Sequence, residues 1–377
     1  MKFYHFVLVF AQGFLLSVLL TPLMRKIAPR LGFLDQPGHR KVHHHPKPLL
    51  GGAAIFFSFL LVVFGDLLIL NWVFKREFQS PSWLLSQVEM VALYAAGYRT
   101  VFRELLGLIL GGVLLFGIGL IDDRFGMSPL IKLIGQMIAA ILLYLSDIQI
   151  ALFIDLPIIN FLLTFGWVVL ITNSFNLLDN MDGLSGGVAM IALILLGISA
   201  HLVSQQVFMS AISFALAGSI AGFLRYNLYP STIFMGDAGS LVLGYFVSAL
   251  TVQSTFYQTG AETATAWSVV MPFVILAVPI FDTVSVIIIR IKNHKPIYVG
   301  DKNHFSHRLV ALGMTHRQAV LFIHLITFCV GSAALVLPLI TESFGAYVVL
   351  TQTVIIFIII TILERIQINH KNGDTSR

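Results

Sequence analysis

The sequence has few charged residues and almost no cysteine. Only 11% of its 377 residues are Asp, Glu, Lys or Arg, whereas soluble globular domains carry about 25%. With 57% hydrophobic residues, a soluble globule is excluded, because so little charge cannot cover its surface. The one cysteine, Cys329, lies in an apolar run, so an intrachain disulfide is excluded and a buried thiol that serves packing is expected. The chain is therefore predicted to lie in a lipid bilayer.

Long apolar runs predict an all-α, polytopic membrane helix bundle. A helix needs about 17–25 apolar residues to cross a bilayer, and about 11 such windows fit the chain. They are 3–24, 51–72, 105–121, 130–147, 152–172, 184–203, 207–224, 240–258, 267–289, 319–340 and 345–364. The first window has no small-residue cleavage site, which predicts a spanning helix and not a removable signal.

Alternation of these windows assigns the polar segments to two membrane faces. One face receives 25–50, 122–129, 173–183, 225–239, 290–318 and 365–377. Counted with Lys132, at the start of the fourth window, it holds 18 of the 23 Lys and Arg residues, so the positive-inside rule makes it cytoplasmic, with the N-terminus external and the C-terminus inside. Segment 73–104 is then a long external loop. We predict one integral-membrane domain, 1–364, and a polar cytoplasmic tail, 365–377.

The formal net charge of +5 does not indicate a nucleic-acid partner. The basic residues cluster in loops beside hydrophobic windows, where the positive-inside rule and anionic lipid account for them.

A regular row of polar side chains follows the fifth window. Carboxylates and amides at bilayer depth cost free energy, so several of them on one face indicate one polar site. The row has a spacing of three residues, which keeps neighbours within reach along a short helical or 3₁₀ stretch, and consists of Asn173, Asn176, Asp179 and Asp182. Gly183 follows, and glycine permits tight turns and close approach of the backbone to a ligand.

A pair of acids closes the third window, and a lysine opens the fourth. Asp122, Asp123 and Lys132 form an inventory common in phosphoryl transfer, and indicate a site for a divalent metal or for an anionic substrate. The alternative is a solvated helix end in which an acid pairs with Arg124.

Two further loops carry candidate residues. Between the seventh and eighth windows lie Asn227, Phe234 and Asp237, and an aromatic ring beside an acid is suited to stacking on a base or sugar. His304 and His307 have the spacing of a metal pair on a helix, but the cations around them, such as Arg308, favour phosphate or sugar.

Taken together, these residues resemble the polyprenyl-phosphate N-acetylhexosamine-1-phosphate transferase family, which includes MraY, WecA, TagO and the eukaryotic dolichyl-phosphate enzyme. The resemblance covers about residues 30–310. The matching pieces are Asp35-x-Pro37-x-x-Arg40-Lys41-x-His43, Pro48-x-x-Gly51-Gly52, Asp122-Asp123 with Lys132, Asn173-x-x-Asn176-x-x-Asp179-x-x-Asp182-Gly183, Asn227 with Phe234-x-Gly236-Asp237, and His304-x-x-His307. The last loop is most similar to WecA-like enzymes, although Ser306 stands where they often have another histidine.

The resemblance implies an enzyme of the bacterial cytoplasmic (inner) membrane, with its active site facing the cytoplasm. It would transfer N-acetylglucosamine 1-phosphate, or a related sugar phosphate, from the UDP-sugar to undecaprenyl phosphate, and so initiate cell-envelope polysaccharide synthesis. UMP is the other product. Mg²⁺, for which Mn²⁺ can substitute, is the implied cofactor, and membrane lipid and a homodimer are the other implied partners.

The resemblance also implies residue roles. Asp237, helped by Asn176, would hold Mg²⁺ against the donor diphosphate, which Asn227 and Lys132 would contact. Phe234 would stack on uracil, and Asp182 would bind it by hydrogen bonding. The remaining candidates are assigned as follows: Asp122 and Asp123 organise the acceptor phosphate, Asp179 is catalytic, His304, His307 and Arg308 bind sugar and phosphate, and Asn173 and His43 help to bind the donor.

Three alternatives stay open at this point. An MraY-like enzyme would use a phospho-MurNAc-pentapeptide donor. A covalent aspartyl intermediate through Asp122 or Asp123 would replace direct displacement. From another class, a cation-coupled transporter also has intramembrane Asp and Asn residues, but it predicts them near the bilayer midplane.

Overall fold

The computed structural model describes residues 3–37, 45–75, 82–150, 156–202, 206–254, 266–296, 303–340 and 343–374; within these ranges, the side chains of 70–100, 254, 266 and 365–374 are not described. The described chain forms thirteen α-helices, two short 3₁₀ helices and one two-stranded sheet. Eight of these helices are long and apolar enough to cross a membrane, or nine if one bent pair forms a single span. The predicted polytopic helical membrane protein is confirmed, while the exact number of spans stays a prediction.

The first half of the chain forms α1 (Tyr4–Leu31), β1 (Leu34–Asp35), β2 (Lys47–Pro48), α2 (Gly51–Lys75), α3 (Ser82–Phe125), α4 (Pro129–Leu145), α5 (Pro157–Leu178) and α6 (Leu184–Leu202). Proline begins α4 and α5, where its missing N–H costs no helical hydrogen bond. Gly32 ends α1 in the left-handed conformation, at φ 78°, which glycine adopts without steric cost. The two short strands pair antiparallel, with Leu34 opposite Pro48.

The second half forms α7 (Val207–Asn227), α8 (Asp237–Ser254), a 3₁₀ helix (Ala266–Val270), α9 (Met271–Ile275), α10 (Ala277–Lys292), α11 (Phe305–Ala311), α12 (His316–Ala334), a second 3₁₀ helix (Leu337–Leu339) and α13 (Ser343–Asp374). Thr315 and Gln318 form a capping box at the start of α12. Cys329 lies on α12 and is exposed, so the expectation of a buried thiol was wrong.

The predicted external loop 73–104 is mostly helical. Helix α3 begins at Ser82 and runs without interruption for 44 residues. Between Pro81 and Pro129 the chain contains no proline, and proline is the residue that most strongly breaks a helix. At the C-terminus, α13 likewise continues through the predicted tail as far as Asp374.

The ninth predicted window is a broken helix. Trp267–Ile275 and Ala277–Lys292 meet at an angle of 68°. Pro279 has no N–H to donate to the carbonyl of Ile275, four residues earlier, so one helical hydrogen bond is missing where the chain bends.

The core of the bundle is formed by α6, α7 and α8. Residues 238–252 of α8 are all buried, and 72% and 78% of the residues are buried in the most apolar windows of α6 and α7, compared with 11% in α13. Helix α1 packs closely on α7, because a Cβ added at Gly13 would lie 2.5 Å from the Ala215 carbonyl oxygen. Helix α13 therefore lies at the periphery of the bundle.

Candidate active site

Several helix ends meet around one cavity of about 750 Å³. The last turn of α3 contributes Asp122 and Asp123, Asp179 follows α5, and Asp237 begins α8. Eight of the fourteen predicted site residues line this cavity: Asp122, Asp123, Asp179, Asp182, Asn227, Phe234, Asp237 and His307. Motifs separated by up to 185 residues in the sequence thus share one space.

Lys132, in the first turn of α4, joins two of the carboxylates. Its Nζ lies 2.8 Å from Asp122 Oδ2 and 2.7 Å from Asp237 Oδ2. These acids belong to α3 and α8, so one ammonium group connects three helices at the edge of the cavity. Asn176 holds the other oxygen of Asp237, because its Nδ2 donates to Asp237 Oδ1 at 3.1 Å and to Ser240 Oγ at 2.9 Å.

Asp123 has different partners from its neighbour Asp122. Its two carboxylate oxygens accept the backbone N–H groups of Asp237 at 2.7 Å and Ala238 at 3.1 Å. These groups belong to the first turn of α8, where N–H donors have no partner within the helix and a negative charge is favoured. Asp123 therefore fixes the start of α8, whereas Asp122 faces Lys132.

Another part of the cavity wall combines an aromatic ring with a cation. Lys47 Nζ lies 4.7 Å from the centre of the Phe234 ring and 3.8 Å from Asp182 Oδ2, and it donates to Ser231 Oγ at 2.8 Å. Asp182 accepts the backbone N–H of Ser231 at 2.9 Å. The flat ring of Phe234 therefore lies near both a hydrogen-bond donor, the Lys47 ammonium group, and an acceptor, the Asp182 carboxylate.

Backbone hydrogen bonds bring Lys47 and Phe234 together. Phe234 N–H donates to Pro48 O at 2.8 Å, and Gly51 N–H donates to Phe234 O at 2.9 Å. The close approach of the start of α2 to the start of α8 requires glycine, since a Cβ at Gly52 would lie 2.3 Å from Gly239 Cα.

Asn227 and Gly183 organise the loops at the same part of the cavity wall. Asn227 Oδ1 accepts the N–H of Gly183 at 3.0 Å, and Nδ2 donates to Ile233 O at 2.8 Å. Gly183 has φ 75°, a left-handed conformation that favours glycine. The Asn227 amide therefore joins the loop after Asp182 to the loop before Phe234.

The other six predicted residues do not line the cavity. Lys132 and Asn176 reach it through Asp237, as described above. Asn173 exchanges hydrogen bonds with Gln136 of α4. His304 Nδ1 lies 2.9 Å from Asp282 Oδ2, and Arg308 Nε lies 3.0 Å from Glu364 Oε1. His43 lies outside the described residues.

Twelve further residues line the cavity but were not predicted as site residues. Those with a charged, histidine or amide side chain are Asp35, His45, Lys47, Asn180 and His316. Asp35 is part of the motif that carries the family resemblance, and Lys47 closes the basic run that precedes Pro48. These positions give a sequence signal for both. His316 follows the capping Thr315, and no pattern in the sequence connects it to the acidic motifs.

The cavity has an excess of negative charge. Burial, the nearby Asp237 and the nearby Asp182 raise the pKa of the Asp179 carboxyl to about 8. Among the described residues, no three His, Cys, Asp or Glu side chains form a ready metal site. Mg²⁺, however, is commonly bound by one or two carboxylates together with substrate phosphates, and the hard oxygens of Asp237 and Asn176 fit that requirement.

Comparison with known proteins agrees with this geometry. Residues 105–255 match the model of glycosyl transferase family 4. The chain is 34% identical over 351 residues to a probable undecaprenyl-phosphate N-acetylglucosaminyl 1-phosphate transferase of Bacillus subtilis, covering 91% of this chain and 88% of that protein. It is also 31% identical to a decaprenyl-phosphate N-acetylglucosaminephosphotransferase of Mycobacterium leprae, covering 81% and 77%. A similarity of this extent shows common membership, and the protein belongs to glycosyl transferase family 4, as a polyprenyl-phosphate N-acetylhexosamine-1-phosphate transferase.

Proposed function

We propose that this protein transfers N-acetylglucosamine 1-phosphate from UDP-N-acetylglucosamine to undecaprenyl phosphate and releases UMP. The observation that carries the proposal is the Lys132 bridge between Asp122 and Asp237, in a cavity whose wall also presents Phe234 and Lys47. The Lys132 bridge suits phosphate groups, and the Phe234 ring beside Lys47 suits a nucleobase. The names of the two relatives, which specify polyprenyl phosphates and N-acetylglucosamine, support the same reaction.

The nucleotide is proposed to bind at the Phe234 side. Uracil stacks on the ring, and its carbonyl oxygens and N–H match the Lys47 ammonium and the Asp182 carboxylate, which lie 3.8 Å apart. Such stacking contributes about 0.5–1.5 kcal/mol beyond buried area. Asn227 holds the two loops of this subsite in register.

The diphosphate is proposed to lie towards Lys132. Asp237 and Asn176 would hold Mg²⁺ there, and the ion would offset the charge that builds up between donor and acceptor phosphates. Lys132 is a second positive charge, kept in place by Asp122, and it orients the phosphate oxygens near α4. His307 lines the same cavity and is proposed to contact the sugar or its phosphate.

The reaction is proposed to be a direct displacement. A phosphate monoester has a second pKa of about 6, so the lipid phosphate is largely a dianion at neutral pH and needs no general base. One of its oxygens attacks the β-phosphorus of the donor. A new P–O–P bond forms, and the bond from the β-phosphorus to the bridging oxygen breaks, so that UMP leaves with the electron pair. The protein residues then act by orienting the two anions.

We infer a bacterial inner-membrane protein whose cavity faces the cytoplasm, where nucleotide sugars are made. The excess of Lys and Arg in the segments that surround the cavity supports this orientation. The site residues lie at helix ends, such as Asp122 and Asp123 at the end of α3 and Asp237 at the start of α8, which favours an enzyme over a transporter with a midplane site.

The test is an assay of UMP release. Purified protein receives undecaprenyl phosphate, Mg²⁺ and, in separate reactions, UDP-N-acetylglucosamine, UDP-N-acetylgalactosamine and UDP-MurNAc-pentapeptide. We expect UMP and a lipid-linked sugar with the first donor, and loss of both on adding a chelator or in Asp237→Asn. Release with the pentapeptide donor alone would favour the MraY-like alternative, and no release with any donor would contradict the proposal.

A further inference from the structure

Arg308 lies next to His307 of the cavity wall, but its own side chain points to a different part of the molecule. Its guanidinium donates from Nε to Glu364 Oε1 at 3.0 Å and from Nη2 to Ser285 Oγ at 3.0 Å, and it also donates to the Asn303 carbonyl. The group is packed against aromatic rings, with its carbon 6.0 Å from the centre of Phe281 and 5.9 Å from that of Phe305. The side chain of Arg308 is therefore fixed on several sides.

Glu364 is an unusual residue on α13. This helix lies at the periphery of the bundle, and among its described side chains only Ala346, Ile360 and Glu364 are buried. Phe357 packs against Phe281, with ring centres 4.6 Å apart and the ring planes tilted by 31°. Phe357, Ile360 and Glu364 have the spacing of one helix face, so α13 touches the bundle through a narrow stripe that ends at Arg308. An ionisable residue buried in a membrane helix is costly and indicates a role.

Helix α11, which carries His307, is held from two sides. His304 contacts Asp282 at 2.9 Å, and Phe305 N–H donates to the same carboxylate, while Arg308, one turn after His304, contacts Glu364. On the far side, Ser306 Oγ donates to Asn180 Oδ1 at 2.6 Å, and Asn180 lines the cavity. With contacts on both sides of a helix of seven residues, its rotation about its own axis is fixed, and so is the direction of His307.

We propose that Glu364 is a positioning residue: through Arg308 it sets the rotation of α11 and thereby holds His307 towards the donor. The inference rests on the proposed transferase function and adds to it a contribution from the C-terminal helix, 56 residues after Arg308. Removing the charge of Glu364 leaves the half-buried Arg308 with the Asn303 carbonyl and the Ser285 hydroxyl as its remaining hydrogen-bond partners, which favours a different arrangement of the guanidinium.

The variant Glu364→Gln keeps the size of the side chain and removes its charge. We expect kcat/KM for UDP-N-acetylglucosamine to fall about tenfold, since displacement of an active-site group by about 1 Å costs up to about 100-fold. The KM for undecaprenyl phosphate should stay near the wild-type value. Because Arg308 loses its charged partner, the melting temperature should fall, so activity is compared at a temperature at which both proteins stay folded. Glu364→Asp should recover part of the activity. The matched control is Asp66→Asn, because Asp66 is also an acid in a membrane helix but hydrogen-bonds to Gln12 at the other end of the bundle.

The decisive comparison uses a His307→Ala background. If Glu364 acts through His307, Glu364→Gln should change kcat/KM less than twofold in that background; if turnover is too slow, the Kd of the UDP-sugar measured by calorimetry gives the same comparison. An equal loss in both backgrounds, a loss that appears only at temperatures at which the variant unfolds, or no loss at all would overturn the inference. Failure of wild-type protein to release UMP would instead contradict the proposed function itself.

Discussion

The carboxylate of Asp123 accepts the backbone N–H of Asp237 at a distance of 2.7 Å. This hydrogen bond makes one acid of the Asp122-Asp123 pair a support for the helix that presents the acid Asp237 to the cavity. The two neighbouring acids therefore have separate tasks: Asp123 caps α8, and Asp122 holds Lys132.

The first prediction separates these tasks by stability. Asp123→Ala should lower the unfolding free energy by about 1–2 kcal/mol, as loss of a helix cap does, and should lower activity as well. Asp123→Asn keeps an acceptor for one N–H and should be closer to wild type in stability. Thermal unfolding in detergent measures both variants, and an unchanged melting temperature for Asp123→Ala would show that the cap is not important.

The second prediction concerns the chemical mechanism. In direct displacement, enzyme given the UDP-sugar and Mg²⁺ without lipid releases no UMP, whereas a covalent aspartyl enzyme would release one equivalent in a burst. We expect no burst, because both oxygens of Asp123 accept backbone N–H groups and Asp122 pairs with Lys132. Rapid-quench analysis of protein verified free of co-purified polyprenyl phosphate makes the measurement. A stoichiometric burst would replace this mechanism but keep the transferase assignment.

The third prediction concerns the nucleotide subsite. Phe234→Ala should weaken donor binding by about 0.5–1.5 kcal/mol beyond the loss of buried area, or roughly 2- to 13-fold. Lys47→Met, which keeps the length of the side chain, should also weaken it, because the ammonium 4.7 Å from the ring is lost. Titration calorimetry with UMP tests both variants. A KM that changes for the lipid and not for the UDP-sugar would place the nucleotide elsewhere.

The fourth prediction concerns the start of α6. A Cβ at Gly187 would lie 2.2 Å from Nε2 of His324, a ring on α12 that lies 3.3 Å from the Leu184 carbonyl oxygen. Gly187→Ala should push the two helices apart, with a loss of about 1–3 kcal/mol as for other overpacked sites. Gly166→Ala is the control, since nothing lies within 4 Å of a Cβ there. Equal melting temperatures for the two variants would contradict this packing.

The fifth prediction concerns pH. Burial, Asp237 and Asp182 raise the pKa of Asp179 to about 8, so folded protein keeps a proton that the unfolded chain releases above its ordinary pKa near 4. This protonation stabilises the folded state at acidic pH, and its contribution is lost as pH rises through about 8. Without divalent cations, the melting temperature of wild type should therefore fall more from pH 5 to 8 than that of Asp179→Asn. If the melting temperatures of wild type and Asp179→Asn change equally with pH, Asp179 does not titrate in this range.

Much of the candidate site could be predicted because its residues form short local motifs. Asn176, Asp179 and Asp182 follow one another at a spacing of three residues at the end of α5. In the structure Asn176 donates to Asp237, and Asp179 and Asp182 line the same cavity as Asp237. Lys47 was missed because its position depends on backbone pairing with Pro48 and Phe234, across almost 190 residues of sequence. The spacing of residues in the sequence does not predict a backbone contact over such a distance.

Arg308 was predicted to bind sugar and phosphate, but its side chain does not line the cavity. A cation beside two histidines suggests a phosphate ligand, but in the structure Arg308 contacts Glu364, the last residue of the predicted apolar window 345–364. The fold was predicted more reliably, since each apolar window contains a helix. The exceptions follow from proline: its absence extends α3, and Pro279 breaks the ninth window.

The contact between Gly52 and Gly239 also limits how this protein can evolve. Each glycine leaves room for the other, because a Cβ at Gly52 would lie 2.3 Å from Gly239 Cα, and one at Gly239 would lie 2.7 Å from Gly52 Cα. A larger residue at either position separates α2 from α8, and with them Lys47 from Phe234. Because the other position is already glycine, no later change there could make room for a larger first substitution. Both positions should therefore stay glycine in homologues that keep the nucleotide subsite. Lipid-facing positions of α13 should diverge freely.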